Sequence, residues 1–537
     1  MTLFEDRVSD VSDAPDGEIW PAPSNPMAVA RQLIDDDGLR DAEGVLTVRW
    51  WRGAFLLWTG ERWVEIADRA IKARIYAALE GAQYWKPTTG APELTPWAPT
   101  RHKIADVAEA LSAIVHVSER TEAPAWIKGE DQGRMLAVRN GLLDLRTRKL
   151  FPHTPRLFNL LALPYDFVPH IPYPARWSKF LNQLFADDQE SIDLLQEWFG
   201  YILSGATDQH KILLLVGPPR SGKGTIARVL TALVGKENTA GPTLASLGTN
   251  FGMSPLLGKA VAIVSDARLG KENAFTVVER LLSISGEDSL TVDRKYREPW
   301  TGRLPTRFTV ISNELPNLGD ASGAVATRFL VLALRESWLG RENPALTAEL
   351  LEELPGILVW ALDGLDRLQI EGRFLEPTTS RDAVTALQDL TSPVGAFVRE
   401  VCVRGAGYEI SCRRLYMRWQ AWERDHGKRN PTTEAVFGRD LRAVIPGLKR
   451  AQRRDGERRW WVYEGIDLSG DHNGQTPVSP GASDENDGLS PDGTSASPLW
   501  SQETLSVWKC DRCDNTTYSD MTGRPCKCGG TFQEERR

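Results

Sequence analysis

The sequence predicts an α/β protein centred on a mainly parallel sheet with helices on both faces. Three observations carry this. Between about Gln209 and Glu371, β-branched runs (ILLLVG, AVAIVS, RFTVISN, FLVLAL) alternate with stretches of helical periodicity. The first run enters GPPRSGKGT and a helical segment follows at once. The chain has 537 residues, 41% hydrophobic and 25% charged, which is the globular range and leaves room for several domains.

The other elements follow in order. Residues 1–26 are acidic and Pro-rich, and are expected to be loosely ordered. Residues 27–205 read as an α+β N-terminal domain. VLTVRWW and AFLLWTGERWVEI are strand-like, with a turn at Thr59-Gly60, and 67–80, 101–117 and 177–204 have helical periodicity. Trp50, Trp51, Trp58 and Trp63 are expected to pack a core. Residues 206–375 form the core just described. Residues 376–468 are helical and basic, and end in the strand-like WWVYE. Residues 469–505, rich in Ser, Pro, Gly and Asp, read as a disordered linker before a cysteine-containing module at 506–537.

Composition excludes several classes. No apolar run reaches membrane-spanning length, and the acidic start MTLFEDRVSD lacks a secretory pattern. Four of the six cysteines fall in the last 28 residues, which argues for one local metal site in a reduced, cytoplasmic setting rather than a disulfide framework. The net charge of −8 argues against simple coating of nucleic acid. The charge is uneven, however. Residues 1–45 carry 11 acids and three bases, whereas 393–464 carry 16 bases and nine acids.

The spacing G-x-x-x-x-G-K spans Gly217, Pro218, Pro219, Arg220, Ser221, Gly222 and Lys223, with Gly224 and Thr225 next. Strand, loop and helix are the context a phosphate-cradling P-loop requires. Glycines let backbone N–H groups turn toward phosphate oxygens, the helix N-terminus adds partial positive charge, and Lys223 adds a full one. Gly224 stands where Ser or Thr usually ligates magnesium. Either Thr225 takes that role or the ion depends on carboxylates. Asp266 ends the apolar run AVAIVSD and is the expected Mg2+ acid. Ala267 follows it, so Glu287 or Asp288 are further candidates for the water-activating base. Asn313 ends another strand, where an amide can sense a γ-phosphate. Arg328 precedes the next strand, and its planar cation suits transition-state charge on a neighbouring subunit's nucleotide. The cofactors expected here are ATP and Mg2+.

GPPRSGKGT, VAIVSD, GEDSLTVDRKYREPW, TVISNELP and TRF, in this order, resemble a superfamily 3 (AAA+) helicase. The set looks most like the phage and plasmid primase-helicase family that includes the poxvirus helicase-primase. NGLLDLRTRKLFPHTP, LPYDF and LQEWFGYILSG resemble its helicase-associated segment. The resemblance implies a ring, a hexamer in the family's manner, with single-stranded DNA in its channel and a duplex fork ahead. It makes 286–300 a channel hairpin on which Arg294, Lys295 and Arg297 meet the phosphate backbone, with Tyr296 between them. No spaced acid pair with His and no toprim pattern supports primer synthesis.

Cys510-x2-Cys513 and Cys526-x-Cys528 suit a structural zinc ribbon with four thiolates, and the module could recruit DNA or a replication protein. Residues 393–467 fit a winged helix with its wing at KRAQRRDGERRWWVY and Asp455-Gly456 at the tip. The leading expectation is an ATP-driven replicative DNA helicase. An origin-binding initiator or loader that uses ATP only as a switch is the alternative, and a nucleotide kinase, where GKGT also occurs, is the third.

Overall fold

The computed structural model describes residues 18–36, 38–127, 133–186, 188–265, 274–295, 297–316, 318, 324–428, 430, 432–469, 507–510, 516–517 and 532–535. They fall into two compact units, 1–474 and 475–537. Among them no helix is long and apolar enough to cross a membrane.

The centre of the first unit is a mixed α/β region around an all-parallel sheet, as the alternating pattern predicts. Its strands are β1 (Ile212–Val216), β2 (Thr239–Ala240), β3 (Val261–Val264), β4 (Arg307–Ser312) and β5 (Phe329–Ala333). Their spatial order is β2-β3-β4-β1-β5, with every pairing parallel. β1 is buried throughout. Its alternating side chains enter two different cores. Leu213 and Leu215 join the helices Ala175–Phe185, Gln189–Ser204, Lys223–Val234 and Leu354–Glu371. Ile212, Leu214 and Val216 join the helix Ala274–Ser285 and the short helical turns between 244 and 256. The two-residue β2 is too short for any periodicity to reveal.

The stretch 177–204 is two helices rather than one. Ala186 adopts a left-handed conformation after the first. Asp188 then caps the second, its carboxylate accepting from Ser191 N. Both helices pack in the sheet's own core, so one core draws on residues from both sides of residue 205.

The contact between Gln189–Ser204 and Leu354–Glu371 is a backbone-to-backbone approach. A Cβ on Gly200 would lie 2.3 Å from Ala361 O, and one on Gly364 would lie 2.5 Å from Gln196 O. Arg367 reinforces the pair, its Nε donating to the buried Glu197 carboxylate at 2.8 Å. Burial pushes the Glu197 carboxyl above its ordinary range, against the donors Leu375 N and Arg367.

Residues 18–127 fold around a separate core. The strands Val48–Trp51, Ala54–Trp58 and Trp63–Ile66 form an antiparallel sheet against the helices Pro26–Asp36, Asp68–Leu79 and Arg101–Ile114. Trp51 and Trp63 are buried; Trp50 and Trp58 are half-buried and pack on Phe55 and Trp63. Residues 393–469 form a further cluster with the order helix, strand, helix, helix, strand, strand. In the second unit, Val507–Cys510 pairs antiparallel with Thr516–Thr517 and Phe532–Glu535.

Gly364→Ala is expected to destabilise the protein by about 1–3 kcal/mol, because the facing backbone cannot retreat without parting the two helices. A lowered thermal-unfolding midpoint, with Gly241→Ala at an open position as control, checks this.

Candidate phosphate-binding site

The loop between β1 and the helix Lys223–Val234 lies at the carboxyl end of the parallel sheet, where open α/β sheets bind their ligands. Gly217 is fixed by space. A Cβ there would stand 2.4 Å from Leu334 O. Gly222 has φ +90°, and a Cβ would meet Leu184 Cδ2 at 2.6 Å. Arg220 also has positive φ, at 61°. The outer wall of the loop is bonded to the chain after β5. Leu334 N donates to Val216 O at 2.8 Å, Ser337 Oγ to Pro219 O at 2.8 Å, and Trp338 N to Arg220 O at 3.0 Å.

Lys223 is buried and curls over the loop. Its Nζ donates to Gly217 O at 2.7 Å, Pro218 O at 2.8 Å and Ser221 Oγ at 3.1 Å. Burial lowers its pKa from the ordinary lysine value. An ammonium desolvated and satisfied only by neutral oxygens gains from exchanging them for phosphate oxygens. Ser221 and Thr225 are buried beside it. Thr225 Oγ1 accepts from Arg228 Nη2 at 3.0 Å, and Arg228 Nε reaches Thr347 Oγ1 at 3.2 Å. A cation on Thr225 would therefore have to displace a guanidinium, which weighs toward the alternative in which carboxylates carry the ion.

The sheet brings Asn313 to this edge. Ser312 pairs with Val216, and Gly217 N donates to Ser312 O at 3.3 Å, so Asn313 follows directly beside the loop. β3 ends at Val264 on the same edge, and Asp266 lies outside the described residues. Arg328 is at the opposite edge. It precedes β5, whose Phe329 pairs with Ile212, and its Nη1 donates to His210 O at 3.4 Å. A five-residue strand is about 17 Å long, which separates Arg328 from its own chain's loop. Glu287 shares the opposite edge. It accepts from Thr207, lies 3.6 Å from His210 Nε2, and these contacts with Thr207 first hold its carboxyl below the usual range. Glu287 is thus removed from the role of base at its own chain's loop.

The hairpin is present as Leu290–Val292 paired with Trp300–Gly302. Its basic tip is engaged within the chain. Arg297 bonds Glu65, and Arg294 Nη1 lies 3.8 Å from the same carboxylate while its Nε donates to Glu298 O at 2.9 Å. Lys295 is exposed; Tyr296 lies outside the described residues. Arg52 is a further residue of this region that sequence reasoning missed. Its guanidinium sits between Trp51 and Trp300, 4.4 and 4.9 Å from their ring centroids, and donates to Glu122 at 2.5 Å. Its signal is weak: Arg52-Gly53 is the turn of a hairpin, and both residues have positive φ.

Of the four cysteines expected to hold zinc, Cys510 ends a strand opposite Phe532, and Cys513, Cys526 and Cys528 lie outside the described residues. Among the described residues no group of three or more His, Cys, Asp or Glu could hold a metal ion.

Residues 45–186 match the D5 N terminal like family. This span lies within the segment expected to resemble a helicase-associated domain, and it supports the resemblance to phage-type primase-helicases. Residues 215–328 match a family of unknown function, DUF5906. That span opens inside β1 and closes on Arg328, so it contains Lys223, Asp266, Asn313 and Arg328. Among solved structures, the apo structure of NrS-1 C terminal region (305-718) is similar at 15% identity, over 82% of this chain and 99% of that one, with a TM-score of 0.47. The A form apo structure of the same region gives 15% identity, 82% and 100% coverage, and a TM-score of 0.43.

Glu65→Gln is expected to loosen Arg297, while Arg294 keeps its bond to Glu298 O. The hairpin amides around 290–302 should then exchange hydrogen faster, by a factor of up to about five, the worth of a partly exposed ion pair.

Proposed function

We propose that this chain is an ATP-hydrolysing DNA motor of phage or plasmid replication, a superfamily 3 helicase working as a ring of identical subunits. The observation that carries the reading is the loop after β1. A buried lysine is satisfied only by neutral oxygens, at the start of a helix and at the carboxyl edge of a parallel sheet.

On this reading Lys223 and the loop amides of 217–225 take the β- and γ-phosphates. Mg2+ would supply charge neutralisation when bound, held by Asp266, and by Thr225 only where Arg228 gives up its bond to that hydroxyl. Asn313 orients the attacking water or senses the γ-phosphate. Water adds to the γ-phosphorus as its bond to the β–γ bridging oxygen breaks, giving ADP and phosphate. The distance of Arg328 from its own loop supports a role at the next subunit's nucleotide, and with it a ring. DNA is the proposed partner, gripped by Arg294, Lys295 and Arg297 once Glu65 lets go. The order of elements in 393–469 supports reading it as a winged helix. Cys510, Cys513, Cys526 and Cys528 would hold a structural zinc with a closed shell of four thiolates, in a module that could meet a replication protein. Cytoplasmic action in a bacterial host completes the proposal.

The test is ATP hydrolysis by the full chain with and without single-stranded DNA. Strong stimulation is expected, and Lys223→Ala should lower the rate by about two orders of magnitude or more. Hydrolysis indifferent to DNA would instead favour an ATP-switched initiator. Mixing Lys223→Ala with Arg328→Ala, each inactive alone, should restore roughly a quarter of the activity, because mixed rings rebuild sites from two subunits. No recovery on mixing would sink the trans role.

A further inference from the structure

The strands Lys449–Asp455 and Arg458–Leu468 form a ribbon that projects beyond its sheet. Pairing with the third strand, Cys402–Ser411, ends where Ser411 meets Val462, so Gln452–Trp461 stands past that edge. The ribbon's register sorts its side chains by face. Gln452 opposes Trp461, Arg454 opposes Arg459 and Arg450 opposes Tyr463, which puts these six on one side. Lys449, Arg453, Asp455, Arg458, Trp460 and Glu464 take the other.

The two faces differ in charge. On the second, Arg453 donates to Glu409 at 2.5 Å and to Glu464 at 2.7 Å, and Asp455 opposes Arg458. On the first, none of the positions 450, 452, 454, 459 and 461 is a carboxylate. The Arg450 guanidinium lies 4.5 Å from the Trp461 ring centroid, and Trp461 remains 44% exposed. This face continues onto the helix Glu434–Val444. The Tyr463 hydroxyl abuts Gly438, and Arg442 and Arg450 both act on it electrostatically. On that helix Asp440 is bonded to Arg439.

We propose that this face is a platform for single-stranded nucleic acid. Trp461 stacks on a base, backed by Arg450; Arg454 and Arg459 take the flanking phosphates, and Arg442 extends the track. An aromatic ring needs a bare base face, which a duplex hides inside its stack, while uncompensated guanidinium groups in line suit a phosphate backbone. The proposal deepens the reading of the chain as a DNA motor, and its test uses neither nucleotide nor hydrolysis.

The experiment titrates the nucleotide-free full chain into a fluorescent oligothymidylate about 20 nucleotides long, at several salt concentrations. Trp461→Ala should weaken binding about 5- to 150-fold and leave the salt slope unchanged. The double variant Arg454→Ala/Arg459→Ala should reduce the slope of log affinity against log salt by about 1.4, or 0.7 per phosphate lost. Trp460→Ala, on the other face, should change neither. Binding is read without nucleotide, so a failed motor reading is separable from a failed platform. An oligouridylate bound equally well would support contacts to base and phosphate alone; preference for thymidylate would assign the platform to DNA. Parental affinity and slope in both the Trp461 and the double arginine variants, with unchanged circular dichroism, would overturn the proposal. So would a loss confined to Trp460→Ala.

Discussion

The approach of Gly217 to Leu334 is the constraint on which the site depends. With a Cβ excluded at 2.4 Å from a carbonyl oxygen, the chain leaving β1 is pressed against the chain leaving β5. That closeness lets Val216, Pro219 and Arg220 offer their carbonyls outward to the 334–338 segment. The loop's outer polar groups are thereby satisfied, and its inner side is left to Lys223. The lysine's burial follows from the same wall. A looser loop would admit water to the ammonium, and the lowered pKa that comes from desolvation would vanish. A packing requirement of the sheet thus sets the electrostatics of the candidate site.

Parallel strands give the sheet two chemically different ends. The carboxyl end carries the loop and Asn313. The amino end gathers Arg328, His210, Glu287 and Thr207, beside the wholly buried Arg307, whose guanidinium lies over Tyr201 at 5.3 Å. Burial pulls the Arg307 guanidinium down to about 10, and Tyr201, Asp208 and Glu287 oppose that shift. A charge-rich end that cannot reach its own phosphate site has two uses: fastening the sheet to the helix Gln189–Ser204, or facing another subunit. Arg307, buried, does the first. On the proposed reading, Arg328, half-buried at the rim, would do the second.

The parallel core was legible because its information is local. Strand, glycine loop and helix occupy consecutive residues, and burial on both faces writes itself as unbroken apolar runs. The split at 186–188 was also written locally, as the capping pattern Asp188-x-x-Ser191, but apolar periodicity on both sides masks it. The Glu65 contacts were not legible at all. They join residues more than two hundred positions apart, and neither an exposed glutamate in a strand nor an arginine in a turn carries a local mark of its partner. The same holds for Arg52, whose place between two tryptophans exists only once two domains meet.

The hairpin contacts differ in strength along its length, and this decides which part can respond. At its base, Trp300 is buried and Arg52 is clamped between it and Trp51, with the Gly302 backbone so close that a Cβ would fall 2.4 Å from Arg52 Nη1. Separating these groups would expose aromatic surface and take the guanidinium off the Trp300 ring. At the tip, Arg297 is held by one partly exposed carboxylate, an interaction worth about 1 kcal/mol or less in water. A phosphate can replace that carboxylate with little loss, since it offers the same charge and more acceptor oxygens. On the proposed reading the hairpin therefore stays rooted in the N-terminal domain, and only its tip exchanges Glu65 for nucleic acid.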